Sequence, residues 1–131
     1  MGYGYTVRVR EPFSNGLVER VRAALGGQGF GVLTQIDVRA TLRDKLGADM
    51  EDYLILGACN PSLAHRAVQA DRDIGLLLPC NVVVRADGPE ATIVQALDPQ
   101  MMVQVTERPD IQPMADEAAG RLRAALDTLT G

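Results

Sequence analysis

Apolar and polar positions along this chain repeat with two different periods, and each period predicts a different element. Residues 5–10 alternate between apolar and polar side chains, which is typical of a half-buried strand. Ser14 is a suitable helix N-cap, and apolar residues then recur every three or four positions as far as Leu25. The glycine-rich run 26–31 closes this helix and opens a strand. It therefore predicts a helix end and a turn rather than a phosphate-binding loop, which would follow a strand and open a helix.

The next part of the chain repeats the scheme of a strand followed by a short helix. Residues 32–38 and 53–58 are predicted strands. A short helix follows the first of them, with apolar residues every four positions and Gly47 as its C-terminal stop. A second short helix follows the other strand, with Asn60 as N-cap and Pro61 at the first helical position.

The last third of the chain predicts a hairpin and a long helix. Strands are expected at 80–85 and 91–97, and Asp87-Gly88 between them is a strong turn signal. From about Pro113 the apolar residues form a regular helical stripe as far as Leu129.

These elements follow in the order β-α-β-α-β-α-β-β-α, in one domain over residues 1–131. The hairpin requires at least one antiparallel pair. We therefore expect an α+β two-layer sandwich, with helices packed on one face of a mostly antiparallel sheet. The other face would carry apolar residues that need a partner, and a homodimer formed through that face is the expected solution.

Composition and charge narrow the possible functions. Of the 131 residues, 47% are hydrophobic and 23% charged, as in an ordinary globular domain. The formal net charge of −4 argues against nucleic-acid binding, and the chain has no apolar run of the length that a membrane span needs. Residues 1–5 lack the charged and apolar regions of a signal peptide. Together with the presence of only two cysteines, this predicts a cytoplasmic protein with free thiols.

The two cysteines carry the main candidate chemistry. Each is followed by asparagine, as Cys59-Asn60 and Cys80-Asn81, and each lies where a predicted strand meets a loop or helix. If the two strands are antiparallel neighbours, both cysteines lie at the same edge of the sheet. Cys59 precedes a helix N-terminus, which favours its thiolate, and His65 follows just over one helical turn later. The candidate ligand-binding residues are Cys59, Asn60, His65, Cys80 and Asn81.

Three functions stay open for this candidate site. The first is a pocket that binds a small ligand or a soft metal ion, with Cys59, His65 and Cys80 as the candidate metal ligands. The second is the site of a thiol-based redox protein or enzyme, in which Cys59 reacts, Cys80 resolves and His65 acts as a base. The third is a purely structural or interaction domain, with both cysteines packed in the core and Asn60 only a helix cap. In this interpretation the apolar sheet face binds a second copy or another protein. The sequence contains no complete catalytic set and no cofactor motif.

Three segments resemble a known but uncharacterised family. They are Gly29-Phe30-Gly31-Val32-Leu33-Thr34-Gln35-Ile36-Asp37-Val38, Leu54-Ile55-Leu56-Gly57-Ala58-Cys59-Asn60-Pro61 and Gly75-Leu76-Leu77-Leu78-Pro79-Cys80-Asn81-Val82-Val83-Val84. In this order they are similar to the family called domain of unknown function 302, over nearly the whole chain. The resemblance implies a small homodimeric α+β domain with the topology of one repeat of the TATA-binding-protein fold. It implies no activity, and DNA binding does not follow from a fold likeness alone.

Overall fold

The structure is a computed structural model that describes residues 3–130; Met1 and Gly2, the first two residues of the N-terminal segment that lacks signal-peptide features, lie outside them. The strands are β1 (Gly4–Val9), β2 (Gly31–Asp37), β3 (Tyr53–Cys59), β4 (Cys80–Ala86) and β5 (Thr92–Leu97). The α-helices are α1 (Asn15–Gly27), α2 (Val38–Leu46), α3 (Pro61–Ala70), α4 (Gln100–Thr106) and α5 (Gln112–Asp127), with 3-10 segments at Arg72–Leu77 and Pro109–Ile111.

The five strands form one sheet in the order β1-β5-β4-β3-β2, and every neighbouring pair is antiparallel. The β4–β5 hairpin turns at residues 87–91, where Asp87-Gly88 predicts it. This all-antiparallel sheet with a helical layer confirms the predicted α+β two-layer fold.

One face of the sheet carries the core, because alternate residues along each strand point to the same side. On this helix-facing side, Leu56, Val82 and Val94 of the three inner strands are fully buried. They pack in one cluster with residues of α1 and α5, among them Leu17 and Leu122. Burial of a leucine of this kind stabilises the fold by about 2 kcal/mol.

The predicted helix caps are present. Ser14 Oγ accepts a hydrogen bond from Leu17 N at 3.1 Å, and Asn60 Oδ1 accepts one from Leu63 N at 3.2 Å. Gly47 ends α2 in the left-handed conformation that favours glycine.

The structure adds two features to the sequence-based expectations. The predicted helix α2 lies outside the core: none of its residues is buried, and Leu46 is 76% exposed. Periodicity predicts this helix correctly, but burial also needs a partner surface. In addition, α4 and both 3-10 segments are elements that the sequence pattern does not predict, and they complete the helical layer.

The opposite side of the sheet, called here the outer face, carries the remaining strand residues. Tyr53, Ile55, Val83 and Ile93 are half-buried there, and Ile36 is 49% exposed. In the described part of the chain, no helix is long and apolar enough to cross a membrane.

Candidate functional site

The pairing of β3 with β4 brings the two cysteines to the same end of adjacent antiparallel strands. Ala58 lies opposite Cys80, and Cys59 is the next residue along β3, where it pairs with Gly31 of β2. The chain then enters α3 directly, with Asn60 as the cap. The predicted strand arrangement and cap are therefore confirmed.

The register also separates the two thiols. Ala58 and Cys80 are direct partners and share the helix-facing side, so Cys59, one residue further, is out of phase with Cys80. Cys80 is buried at 7% exposure, whereas Cys59 is half-buried, and both thiols are free. The two cysteines are therefore free thiols in different environments, and the structure does not show them as a close pair.

Both cysteines nevertheless line one cavity between the ends of β3 and β4 and the helical layer. Its space for the centres of water-sized molecules is about 50 Å³. The strand ends, α3, α4 and α5 all contribute to its wall, and nearly all of the wall is apolar, from residues such as Phe30, Ile74 and Ile111. The cavity is therefore large enough for a few water molecules or a very small ligand, and smaller than the engineered apolar cavities that admit benzene.

Asn60 lies in the wall of this cavity, but its side chain stabilises the local fold. Its Oδ1 accepts the hydrogen bond from Leu63 N that caps α3. Its Nδ2 lies against Gly29, where an added Cβ would be only 2.9 Å from it. Gly29 has a φ of +85°, so both its conformation and the space beside it require glycine. The asparagine therefore joins the start of α3 to the turn that ends α1.

The environment of Cys80 makes its thiol a weak acid. Burial raises the pKa of Cys80 from 9.0 to about 11, and the negative charge that Cys59 can carry adds to this rise. Near neutral pH this thiol is therefore protonated, and in this form it is a poor nucleophile.

Two of the five candidate residues lie outside the cavity. His65 is exposed on α3, because the buried side of that helix is formed by Leu63 and Ala67. Asn81 is exposed on the outer face, since it alternates with the buried residues Cys80 and Val82 along β4. The structure thus brings Cys59, Asn60 and Cys80 to the cavity, and it does not bring His65 or Asn81 there.

The expected metal ligands need the same correction. Within residues 3–130 no group of three or more histidine, cysteine, aspartate or glutamate side chains is placed to hold a metal ion. Cys59, His65 and Cys80 therefore do not form a three-ligand site, because the histidine points away from the cavity wall.

Sequence reasoning does not assign the part of the wall that comes from the helical layer to the cysteine site. Met102 of α4 and Met114 of α5 both line the cavity. From the sequence alone, three roles are open for Met102: a thioether ligand, a pocket-lining residue, or a core or dimer contact. Met114 belongs to the predicted apolar stripe. Nothing in the sequence places either of them beside Cys80, because the path of the chain from β5 back over the sheet edge has no clear signal.

The fold and the cavity define a small α+β protein with a five-stranded antiparallel sheet, one helical layer and an apolar cavity at the ends of two inner strands. A family model described as domain of unknown function DUF302 matches residues 5–129, so the chain belongs to that family.

A solved structure supports the assignment. The crystal structure of the uncharacterized conserved protein DUF302 from Bacillus stearothermophilus is similar to this chain with a TM-score of 0.87 and 34% sequence identity, over 97% of this chain and 98% of that one. No curated protein matches the chain.

Proposed function

We propose that this chain is a binding protein that holds a very small ligand, without turnover, in the cavity at the joined ends of β3 and β4. The observation that carries the proposal is the cavity itself. It lies where the ends of β3 and β4 meet the helices α3, α4 and α5, and its wall is almost entirely apolar. A concave apolar site with few polar groups is the usual form of a small-ligand site.

Two observations favour binding over the alternative of a thiol-based enzyme or redox protein using Cys59. Cys80, the proposed resolving thiol, has a pKa raised to about 11 and is protonated at neutral pH. His65, the proposed base, is exposed and does not contribute to the cavity wall. Two free thiols fit a protein of the reducing cytoplasm, which is the location we propose.

Xenon provides a direct test of the cavity, because it enters dry apolar cavities without needing hydrogen bonds. Xenon-129 NMR of the purified protein should show saturable uptake. Ala64→Leu should reduce this uptake, since Ala64 lines the cavity and the larger side chain would fill it. Ala70→Leu is the matched control: it lies on the same helix, is also half-buried and is not part of the cavity wall. Absence of xenon uptake by the unmodified protein would refute the proposal.

We further propose that a second copy of the chain covers the outer face. Ile36, Ile55 and Val83 form an apolar band across this face, although no helix of the described chain covers it. The apolar band favours a second copy, because a copy that presents the same band would bury these side chains against apolar surface.

The charged outward-facing strand residues are Arg8 and Arg85. Each has a partner within the chain, Asp87 at 2.8 Å for Arg8 and Gln95 at 3.3 Å for Arg85. Neither guanidinium therefore needs a partner from the second copy.

Sedimentation velocity tests this arrangement. The unmodified chain should sediment as a dimer at micromolar concentration, and Ile55→Glu should convert it to a monomer by adding a carboxylate to the centre of the contact. Leu76→Glu is the control, because Leu76 is 88% exposed and lies in a 3-10 segment away from the outer face. A monomeric unmodified chain would contradict the proposed dimer.

A further inference from the structure

Sulfur is concentrated in the wall of the cavity. Both cysteines of the chain and two of its five methionines, Met102 and Met114, line it. Cys80, Met102 and Met114 also belong to one packed cluster, in which Met102 is buried and Met114 is half-buried. One thiol and two thioethers from β4, α4 and α5 therefore surround the same small space.

We propose that this cavity is a site for the monovalent soft metal ion Cu(I), bound by Cys80, Met102 and Met114. The inference rests on the proposed binding function and names the class of its ligand. Thiolate and thioether sulfur atoms are soft donors that select Cu(I). Among residues 3–130, no imidazole and no carboxylate lines the wall; these are the groups that would favour Zn²⁺ or a harder ion.

The charge of the complex gives an independent reason for a monovalent ion. One thiolate neutralises Cu(I), whereas a divalent ion held by the same three ligands would leave a net positive charge. An uncompensated charge is costly in an apolar site. The three-sulfur set therefore suits a monovalent ion in this environment.

The binding step needs no oxidant or reductant. The S–H bond of Cys80 breaks, its proton passes to solvent, and a sulfur–copper bond forms. Met102 and Met114 each donate a sulfur lone pair, and copper stays Cu(I) throughout. Cys59 also borders the cavity, so its contribution has to be measured separately from that of the three proposed ligands.

Anaerobic competition between the full chain and a chromophoric Cu(I) chelator tests this site. The unmodified chain should remove one Cu(I) per chain. Met102→Leu and Met114→Leu should each weaken the affinity by no less than about tenfold, the loss that even an outer-sphere partner typically produces. Cys80→Ala should weaken it further. Methionine-to-leucine changes nearly conserve side-chain volume, so the variants should fold, and urea unfolding checks this.

Two controls distinguish this site from copper binding elsewhere on the chain. Met101→Leu alters the neighbouring methionine of α4, which lies outside the cavity wall, and should leave the affinity unchanged. If Cys59→Ala abolishes Cu(I) binding and the other variants do not, the copper is bound by the half-buried thiol of Cys59 and the inference is wrong. It is equally wrong if the chain binds no Cu(I), or if Met102→Leu and Met114→Leu both bind as tightly as the unmodified chain.

The xenon experiment separates failure of the metal site from failure of the binding cavity. Xenon uptake without Cu(I) binding would overturn only the metal site and would leave the binding cavity in place. Absence of both would overturn the proposed function as well.

Discussion

Replacement of Gly57 by alanine tests how closely the strand ends approach beside the cavity. Gly57 lies on the outer face of β3, next to Ala58 and Cys59, and yet it is buried. An added Cβ would fall inside the contact distance of Thr34 Oγ1 on β2 and only 2.8 Å from Pro79 Cγ before β4. The neighbours on both sides would have to move.

The expected effect is the difference between two opposing terms. Alanine restricts the unfolded chain, which favours folding by about 0.4–1 kcal/mol where the native backbone tolerates it. Overpacking in a tight site costs about 1–3 kcal/mol, and here a pyrrolidine ring and a strand side chain both press on the added carbon. We therefore expect Gly57→Ala to lower the free energy of unfolding by about 1–2 kcal/mol.

Urea unfolding followed by far-UV circular dichroism measures this change. Gly31→Ala is the matched control: it lies at the start of the neighbouring strand, has no atom within 4 Å of an added Cβ, and should be neutral or slightly stabilising. A Thr34→Ala background should recover part of the loss by removing Oγ1, with a coupling energy of about 0.5 kcal/mol or more. If Gly57→Ala is as stable as Gly31→Ala, the strand ends are less tightly packed than the structure indicates.

Three further predictions concern the candidate site residues, each measured by urea unfolding. Asn60→Ala should lower the free energy of unfolding by about 1 kcal/mol through loss of the α3 cap, whereas the exposed Asn81→Ala should change it by less than about 0.5 kcal/mol. His65→Ala should also change the free energy of unfolding by less than about 0.5 kcal/mol and should leave xenon uptake intact, because His65 is exposed. A loss of xenon uptake in this variant would show that His65 does contribute to the cavity. Because folding raises the pKa of Cys80 from 9.0 to about 11, its stabilising contribution should be complete below pH 9 and should be lost as the pH rises towards 11, by about 3 kcal/mol in all. Cys80→Ala should remove that pH dependence, and identical profiles for the two proteins would contradict the raised pKa.

Local signals in the sequence are enough to predict most of the fold. Ser14, Asn60 and Gly47 end or begin helices for reasons that lie within a few residues of them, through side-chain caps or a left-handed backbone. The alternation of residues 5–10 likewise places the buried side of β1, which carries Val7 and Val9. These features are present in the structure because the tertiary contacts favour the same conformations as the local sequence.

The cavity is harder to predict, because its wall depends on an element with no clear local signal. α4 has no side-chain cap, and it spans only seven residues, Gln100–Thr106. Its apolar run of Met101, Met102 and Val103 is consistent with either a helix or a strand. Without α4, Met102 has no predicted position relative to Cys80. The exposure of α2 has no sequence signal for a related reason, since local periodicity does not show whether a partner surface exists.

The polar chemistry of the cavity restricts what it can hold. Asn60 Oδ1 is already engaged by Leu63 N, and the Cys80 thiol is neutral and buried. A polar ligand entering this space would lose its hydrogen bonds to water and find few replacements, at a cost of about 1–3 kcal/mol for each group left unsatisfied. An apolar atom loses little, and a soft cation regains its coordination from sulfur. Xenon and Cu(I) therefore represent the two ligand types that a cavity with this wall can accept without new hydrogen-bonding partners.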